Sequence, residues 1–307
     1  MPAYIAKRLF QALFVIVAVT LLVSYAIRLS GDPASMLITG GGAISEEDLQ
    51  RIRAGLGLDR PFHVQYLSFM GGLLTGDFGK SFFGGTPVWN LIAQALPATL
   101  LLAFLSLLIS VAISIPLGIH AAVRAGSLSD QIIRILSLVG LSFPNFWLAI
   151  MLVLIFSIQL GVLPASGFLQ YSSVIMPCLT LALILSAVNV RIVRSAMLET
   201  LSTQYIMVAR AKGLKDGVVL YKHALRNSMV PLLTFIGLQF GDLLGGVVIV
   251  ERVFDWPGMG SLAFDAIATR DYPVLQGVIT VLALMIVLMN LLIDIAYGFI
   301  DPRIGRK

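Results

Sequence analysis

The sequence is short of charge: Asp, Glu, Lys and Arg make up 12% of its 307 residues, whereas apolar residues make up 58%. Soluble domains carry about 25% charged residues. A soluble fold of this size lacks the interior to bury so much apolar surface, because surface area grows almost as fast as volume. The composition therefore argues against a soluble enzyme and favours a protein whose apolar surface faces lipid.

Cysteine and histidine are also scarce. The single cysteine, Cys178, excludes an internal disulfide, and His63, His120 and His223 do not have the spacing of a zinc site. We therefore expect no metal site and no catalytic residue. The formal net charge of +5 would suit a nucleic-acid-binding protein, but basic residues beside apolar runs are explained by orientation across a membrane, so no nucleic acid partner is expected.

Six apolar stretches are long enough to cross a membrane, which takes about 20 helical residues. They lie at 9–27, 96–122, two within 135–190, 229–250 and 272–293. The turn-like GVLPASG at 161–167 separates the third stretch from the fourth. The sequence therefore predicts an all-α, polytopic membrane helix bundle with six transmembrane helices.

The distribution of Lys and Arg predicts the orientation, because short loops rich in these residues stay in the cytoplasm. Fourteen of the 21 Lys and Arg residues fall at the two termini and in the loops that share their side. The other seven are mixed with ten acidic residues. Both termini are therefore expected in the cytoplasm, which agrees with an even number of spans.

The spans divide the chain into three expected parts: 1–30 with the N-terminal end and first span, an outer helical segment at 31–95, and a permease-like core at 96–307. In the outer segment, Ser45 is expected to cap a helix that Gly55 ends. A second short helix is expected from Pro61 to just before Gly71.

The loop between the fourth and fifth spans, at 203–231 and including YIMVARAKGLKDGVVLYKHALRNSMVP, has strong helix signals. Residues 209–212 favour a helix, Gly213 permits the left-handed turn that ends it, and Asp216 is expected to cap a second helix that reaches Asn227. The alternative is a basic amphipathic turn lying on lipid headgroups. A turn lying on headgroups would not need the predicted order of a helix, a glycine turn and a second helix.

This loop resembles the EAA loop of ABC-importer permeases, and its ARAKGL, HALRN and Pro231 are similar to the dipeptide/oligopeptide/nickel, binding-protein-dependent family. Met207 stands where the general pattern has its glutamate, and 213–231 is longer than in that pattern; both departures are usual in the peptide branch. The resemblance is to the first of the two permeases, and extends to nickel and glutathione permeases. It covers nearly the whole chain, through YIAKRLF, GLGLDRPFHVQYLSFM, GDFGKS, SFPNFWLA, VFDWPGMG, RDYPVLQ and IDPRIGRK.

The resemblance implies a type I ABC-importer permease in a bacterial inner membrane, which forms half of a path for di- and oligopeptides. It implies a heterodimer with a second related permease, two cytoplasmic ATP-binding subunits and an extracytoplasmic substrate-binding protein. ATP and Mg are expected on the ATPase: GKS at 79–81 lacks a P-loop glycine, since Leu74 stands five residues before Gly79. The resemblance assigns ATPase coupling to Ala209, Arg210, Ala211, Lys212, Gly213, Leu214, His223, Arg226, Asn227 and Pro231.

Asp242 is the one acidic residue near the middle of a predicted span, where charge is costly and usually faces a cavity or a partner. It either lines the translocation path, where it would attract a peptide amino group or a cationic metal complex, or pairs with a group of the second permease.

Three other functions compete with peptide import. Import of nickel, a metal chelate or glutathione lies within the same family. A membrane-embedded hydrolase would need paired intramembrane acids, a Ser-Lys or Ser-His pair, or an HExxH helix, and the sequence shows none of these. A passive channel would have no need of an ATPase-docking loop.

Overall fold

The computed structural model of the chain describes residues 2–29, 31–34, 46–168 and 170–300. These residues form helices and connections, and the one β-type pairing among them is an isolated bridge between Lys80 and Pro87. The α-helices are α1 Pro2–Leu29, α2 Glu46–Gly55, α3 Phe62–Thr75, α4 Val88–Val123, α5 Leu128–Ser142, α6 Asn145–Leu152, α7 Ile175–Leu201, α8 Gln204–Ala211, α9 Asp216–Val218, α10 Leu225–Gly246, α11 Val248–Val253, α12 Met259–Thr269 and α13 Tyr272–Ile300. Shorter segments are π-helical at Val153–Gln159 and Val219–Ala224 and 3-10 helical at Tyr171–Val174.

The all-α prediction is confirmed, and a helix covers each predicted membrane stretch. Within the described ranges, three helices are long and apolar enough to cross a membrane: Val88–Val123, Tyr171–Leu201 and Tyr272–Leu292. A bent pair, Leu128–Ser142 with Asn145–Gln159, makes a fourth if it is one span. The first and fifth stretches are covered by α1, whose apolar part is Leu13–Leu29, and by the 22-residue α10.

The third predicted stretch begins before residue 135 and is bent. Its helix begins at Leu128, where Ser127 accepts a hydrogen bond from the Asp130 N–H, and breaks after Ser142 with a bend of 101°. Pro144 explains the break, because proline has no N–H to continue the ladder and drives the preceding residue to extended angles. Phe143 has such angles, with φ −87° and ψ 129°.

The outer segment confirms one predicted helix end and corrects another. α2 ends at Gly55, whereas the predicted cap Ser45 lies outside the described residues. Pro61 precedes α3 rather than opening it, and α3 continues through 71–72 to Thr75. The helix ends at Gly76, whose φ of +77° is left-handed. Glycine adopts this conformation readily, whereas residues that carry a Cβ are strained by it.

The chain forms two compact units. The first comprises the described residues of Met1–Thr99 and Pro257–Leu288. Its core gathers the end of α1, the start of α4, α12 and the start of α13, through Ile27, Ile92, Met259 and Val278. A Cβ added to Gly277 would lie 2.7 Å from Val88 Cγ1, so this glycine lets α13 approach α4.

The second unit comprises Leu100–Trp256 and the described residues of Met289–Lys307. A Cβ on Gly118 would lie 2.6 Å from Val193 Cβ, so α4 and α7 also pack closely. Asn189 Nδ2 donates to Ser110 Oγ at 3.0 Å and ties these two helices with a buried polar contact. Residues of both helices contribute to the core that packs against the 203–231 loop.

Candidate functional site

The 203–231 loop is a helix, a glycine turn and a second helix, as predicted. α8 ends at Ala211, and Gly213 has φ +76° with its N–H donating to the Arg210 carbonyl at 2.9 Å. The Leu214 N–H donates to the Ala209 carbonyl at 3.4 Å, which closes the turn. A Cβ added to Gly213 would have no neighbour within 4 Å, so the backbone angle alone requires glycine here.

The second helix differs from its prediction at both ends. Asp216 is the first residue of α9 rather than its cap, which is Lys215. The helix does not end at Asn227: it passes through the π-helical Val219–Ala224 into α10 without a break in helical structure. The loop is therefore continuous with the fifth predicted span.

Buried apolar side chains attach the loop to its own unit. Ile206, Val219 and Ala224 are fully buried, and Ala209 is nearly so. They share one cluster with residues of α4, α7 and α10: Ile119, Ala122, Val193, Met197 and Leu232. Close packing of this kind transmits displacement, because interiors have low compressibility. The loop therefore belongs to the same packed core as three long helices.

Polar contacts add to this attachment. Asn227 Nδ2 donates to the Tyr205 hydroxyl at 2.6 Å, and so joins α8 to α10. Ser228 Oγ lies 2.9 Å from Met197 Sδ of α7. Arg210 Nε and Asp216 Oδ1 are 3.9 Å apart, but both side chains are exposed and such a pair contributes little.

The same loop exposes several large apolar side chains. Met207 is 57% and Tyr221 is 62% exposed. Exposed apolar groups gathered on one short segment indicate a contact with another molecule. We call the set the loop surface; its members are Tyr205, Met207, Val208, Leu214, Val218 and Tyr221.

The predicted coupling residues occupy different environments within this loop. The turn exposes 210–214, whereas Ala209 is buried and His223 is partly buried in the π-helical segment. Arg226 and Asn227 are exposed in the first turn of α10. Pro231 lies within α10, and its side chain lies outside the described part of the chain.

Asp242 lies in the C-terminal half of α10 and is exposed in the single chain. Among the side chains that the structure describes, none forms a hydrogen bond or an ion pair with its carboxylate. An exposed carboxylate fits either of its two predicted roles, a place on the translocation path or a pair with a second permease.

Sequence reasoning missed an ion pair between α5 and α7. Arg194 donates from Nε to Asp130 Oδ1 at 2.6 Å and from Nη2 to Oδ2 at 2.8 Å, and Asp130 is fully buried. The Gly126 N–H also donates to Oδ2 at 2.9 Å. The available signal was that Asp130 is the only acidic residue between Asp77 and Glu199.

Two family models match the sequence. Residues 114–306 match the model described as binding-protein-dependent transport system inner membrane component, and residues 1–103 match the corresponding N-terminal model. Together they cover most of the chain.

The curated relatives include permease proteins from three transport systems. The chain is 38% identical over 339 residues to the dipeptide transport system permease DppB of Escherichia coli K12, covering 100% of both chains. It is 39% identical over 305 residues to the glutathione transport system permease GsiC of Salmonella typhimurium LT2, covering 99% of both chains. It is 38% identical over 316 residues to the oligopeptide transport system permease AppB of Bacillus subtilis 168, again covering 99% of both chains.

Solved structures support the fold. One chain of the inward-facing MetNI methionine ABC transporter matches with a TM-score of 0.58 and 19% identity, over 69% of this chain and 96% of that one. A chain of an amino acid ABC transporter matches with a TM-score of 0.51 and 18% identity, over 67% and 92%. At these identities the likeness concerns the fold alone.

Proposed function

Because this chain belongs to the family of binding-protein-dependent transport system inner membrane components, we propose that it is the permease subunit that forms half of a translocation path for short peptides. The observation that carries the proposal is the full-length similarity to permeases of dipeptide, oligopeptide and glutathione transport systems. Those three substrates share peptide chemistry. Import of chelated nickel is the alternative that the uptake experiment below separates.

The proposed assembly contains a second related permease, two cytoplasmic ATP-binding subunits and an extracytoplasmic substrate-binding protein. ATP and Mg bind to the ATPase, so this subunit carries no catalytic residue. The excess of Lys and Arg on one side supports cytoplasmic termini, and with them a cytoplasmic position for the 203–231 loop. Asp242 then faces the path or the second permease.

Coupling is the proposed role of the 203–231 loop. Alternating access needs rigid-body motion around a fixed site rather than chemistry within the membrane. The shared core of α4, α7, α8 and α10 supports such motion, because Ile206 and Ala209 of α8 lie in the same buried cluster as Val193 and Met197 of α7. The loop surface, with Met207 and Tyr221 exposed, supplies apolar contacts for the ATPase.

Uptake by proteoliposomes tests the function. The co-purified complex and its binding protein are offered labelled dipeptides, longer peptides, glutathione and chelated nickel in parallel. We expect ATP-dependent accumulation of a peptide. Accumulation of nickel alone would show that the substrate is a metal chelate rather than a peptide. Accumulation that does not depend on ATP would contradict the importer proposal and favour a passive channel.

Substitution of Gly213 tests the coupling role. Gly213→Ala places a Cβ at φ +76° and costs about 1 kcal/mol of backbone strain, so we expect a several-fold loss of uptake with normal assembly. Gly213→Leu should reduce uptake further, since its side chain projects from the turn where the ATPase is proposed to bind.

Gly217 provides the matched control for Gly213. It also has open space around an added Cβ, but its φ is not positive. Gly217→Ala should therefore leave uptake unchanged. Equal effects of the two alanine substitutions would contradict the role given to the Gly213 turn.

A further inference from the structure

The first unit contains a cavity of about 330 Å³ that no part of the coupling proposal uses. It lies among the end of α1, α3, the start of α13 and the connections on either side of α3. Its lining includes three basic side chains and one acidic one, together with two glutamines: Arg28, Arg60, Lys80, Asp77, Gln65 and Gln276. A volume of this order is typical of small-ligand sites.

Arg28 is held in this cavity by neutral groups. Its Nη1 donates to the Ser24 carbonyl and its Nη2 to Gln65 Oε1 at 2.6 Å. Its Cζ lies 4.9 Å from the ring centroid of Phe62 and 5.6 Å from that of Tyr272. Attraction between a guanidinium and ring faces fixes the plane of the group without neutralising its charge.

Gln65 is itself fixed in the orientation that serves Arg28. Its Nε2 donates to the Arg60 carbonyl at 2.7 Å and lies 3.4 Å from the Leu58 carbonyl, so its amide oxygen is left to accept from Arg28. The position of the Arg28 guanidinium therefore depends on Gln65, which is itself held by the carbonyls of Arg60 and Leu58.

The guanidinium retains unused donors. It has five N–H groups, of which two are paired as described. The Nε atom is buried and finds no acceptor within the described ranges, and no ion pair there involves Arg28. Arg28 is half-buried and has no charged partner among the described residues, and the group that satisfies its guanidinium best is a carboxylate, which accepts two parallel hydrogen bonds.

We propose that this cavity is a carboxylate-binding site in which Arg28 receives the C-terminal carboxylate of a short peptide. The assignment of a peptide as the source of the carboxylate rests on the proposed function. With cytoplasmic termini, the cavity lies on the extracytoplasmic side, where a peptide enters. Arg60 and Lys80 add positive charge to the same lining and favour an anion further.

Equilibrium binding to the assembled complex in lipid nanodiscs, without the binding protein, tests the site. The probes are labelled alanyl-alanine and alanyl-alanine amide, which differ only in the terminal carboxylate. We expect the acid to bind about tenfold or more tightly than the amide. This comparison uses the unaltered protein, so it does not depend on whether a variant folds.

Substitutions then locate the site. Arg28→Gln should remove the difference between acid and amide, and Arg28→Lys should restore part of it. Arg51→Gln removes a charge from the same outer segment at a residue outside the cavity lining, and should preserve the difference.

Three results would overturn the proposal: no saturable binding of alanyl-alanine, equal binding of acid and amide, or an acid preference that survives Arg28→Gln. Loss of binding-protein docking in Arg28→Gln with unchanged dipeptide binding would also overturn it, because the carboxylate would then belong to the binding protein. The proposed function fails separately, if the unaltered complex accumulates no peptide in the proteoliposome assay.

Discussion

Replacing Asp130 with alanine is expected to lower the stability of the assembled permease by about 2–3 kcal/mol. The substitution removes both acceptors of Arg194 and the acceptor of the Gly126 N–H, and leaves the guanidinium at 19% side-chain exposure without its partner. The apparent unfolding temperature of the purified complex should fall by roughly 5–10 °C. A thermal scan that follows loss of the folded subunit measures this change.

Two variants separate the buried pair from ordinary surface charge. Arg210→Ala removes an exposed pair whose atoms are 3.9 Å apart, and should change stability by about 0.5 kcal/mol or less. The double substitution Asp130→Leu with Arg194→Met removes both charges, and should recover most of the loss because no unpaired charge is left behind. An unfolding temperature unaffected by Asp130→Ala would show that the pair contributes nothing.

This ion pair also shows which features of the structure can be predicted from the sequence and which cannot. The positions of the apolar stretches follow from composition, because about 20 uncharged residues suffice to predict a span. The pairing of Asp130 with Arg194 does not follow, since the two residues are 64 positions apart and meet only when α5 packs on α7. Arg194 is one of the fourteen basic residues on the predicted cytoplasmic side, and its position in the sequence does not reveal its partner.

Helix ends were predictable where one residue type dictates the backbone. Gly213 was expected to turn the chain, and its φ of +76° agrees. At the end of α3, two adjacent glycines at 71–72 suggested a stop, but the left-handed angle occurs at Gly76. Glycine permits that angle without requiring it, so composition alone does not choose among several glycines.

Pro144 and Arg28 can be read in the sequence, but the size of the bend at Pro144 and the contacts of Arg28 depend on tertiary packing. A proline such as Pro144 favours a bend, whereas the size of the bend, 101°, depends on what α5 and α6 pack against. Arg28 is one of the seven basic residues on the predicted outer side, and the rings of Phe62 and Tyr272 that contact it come from distant segments. Local pattern therefore predicts the elements, and packing decides which side chains meet.

Placing a carboxylate on the loop surface is expected to disconnect the permease from its ATPase. Val208→Glu and Tyr221→Glu change side chains that are 52% and 62% exposed, so neither should disturb the packing of the chain itself. Burial of an unpaired charge in an apolar contact costs at least about 2 kcal/mol. ATP-dependent uptake should therefore fall by about tenfold or more, and the ATPase should be lost during co-purification.

Leu74→Glu is the matched control, because Leu74 is 89% exposed and lies in α3 of the other unit. It introduces the same charge at an apolar surface position, and should leave co-purification and uptake unchanged. If the loop instead rests on lipid headgroups, Val208→Glu and Tyr221→Glu would weaken association of the loop with anionic vesicles while the ATPase co-purified normally. Retention of the ATPase by both variants would therefore assign the loop surface to the membrane and remove its coupling role.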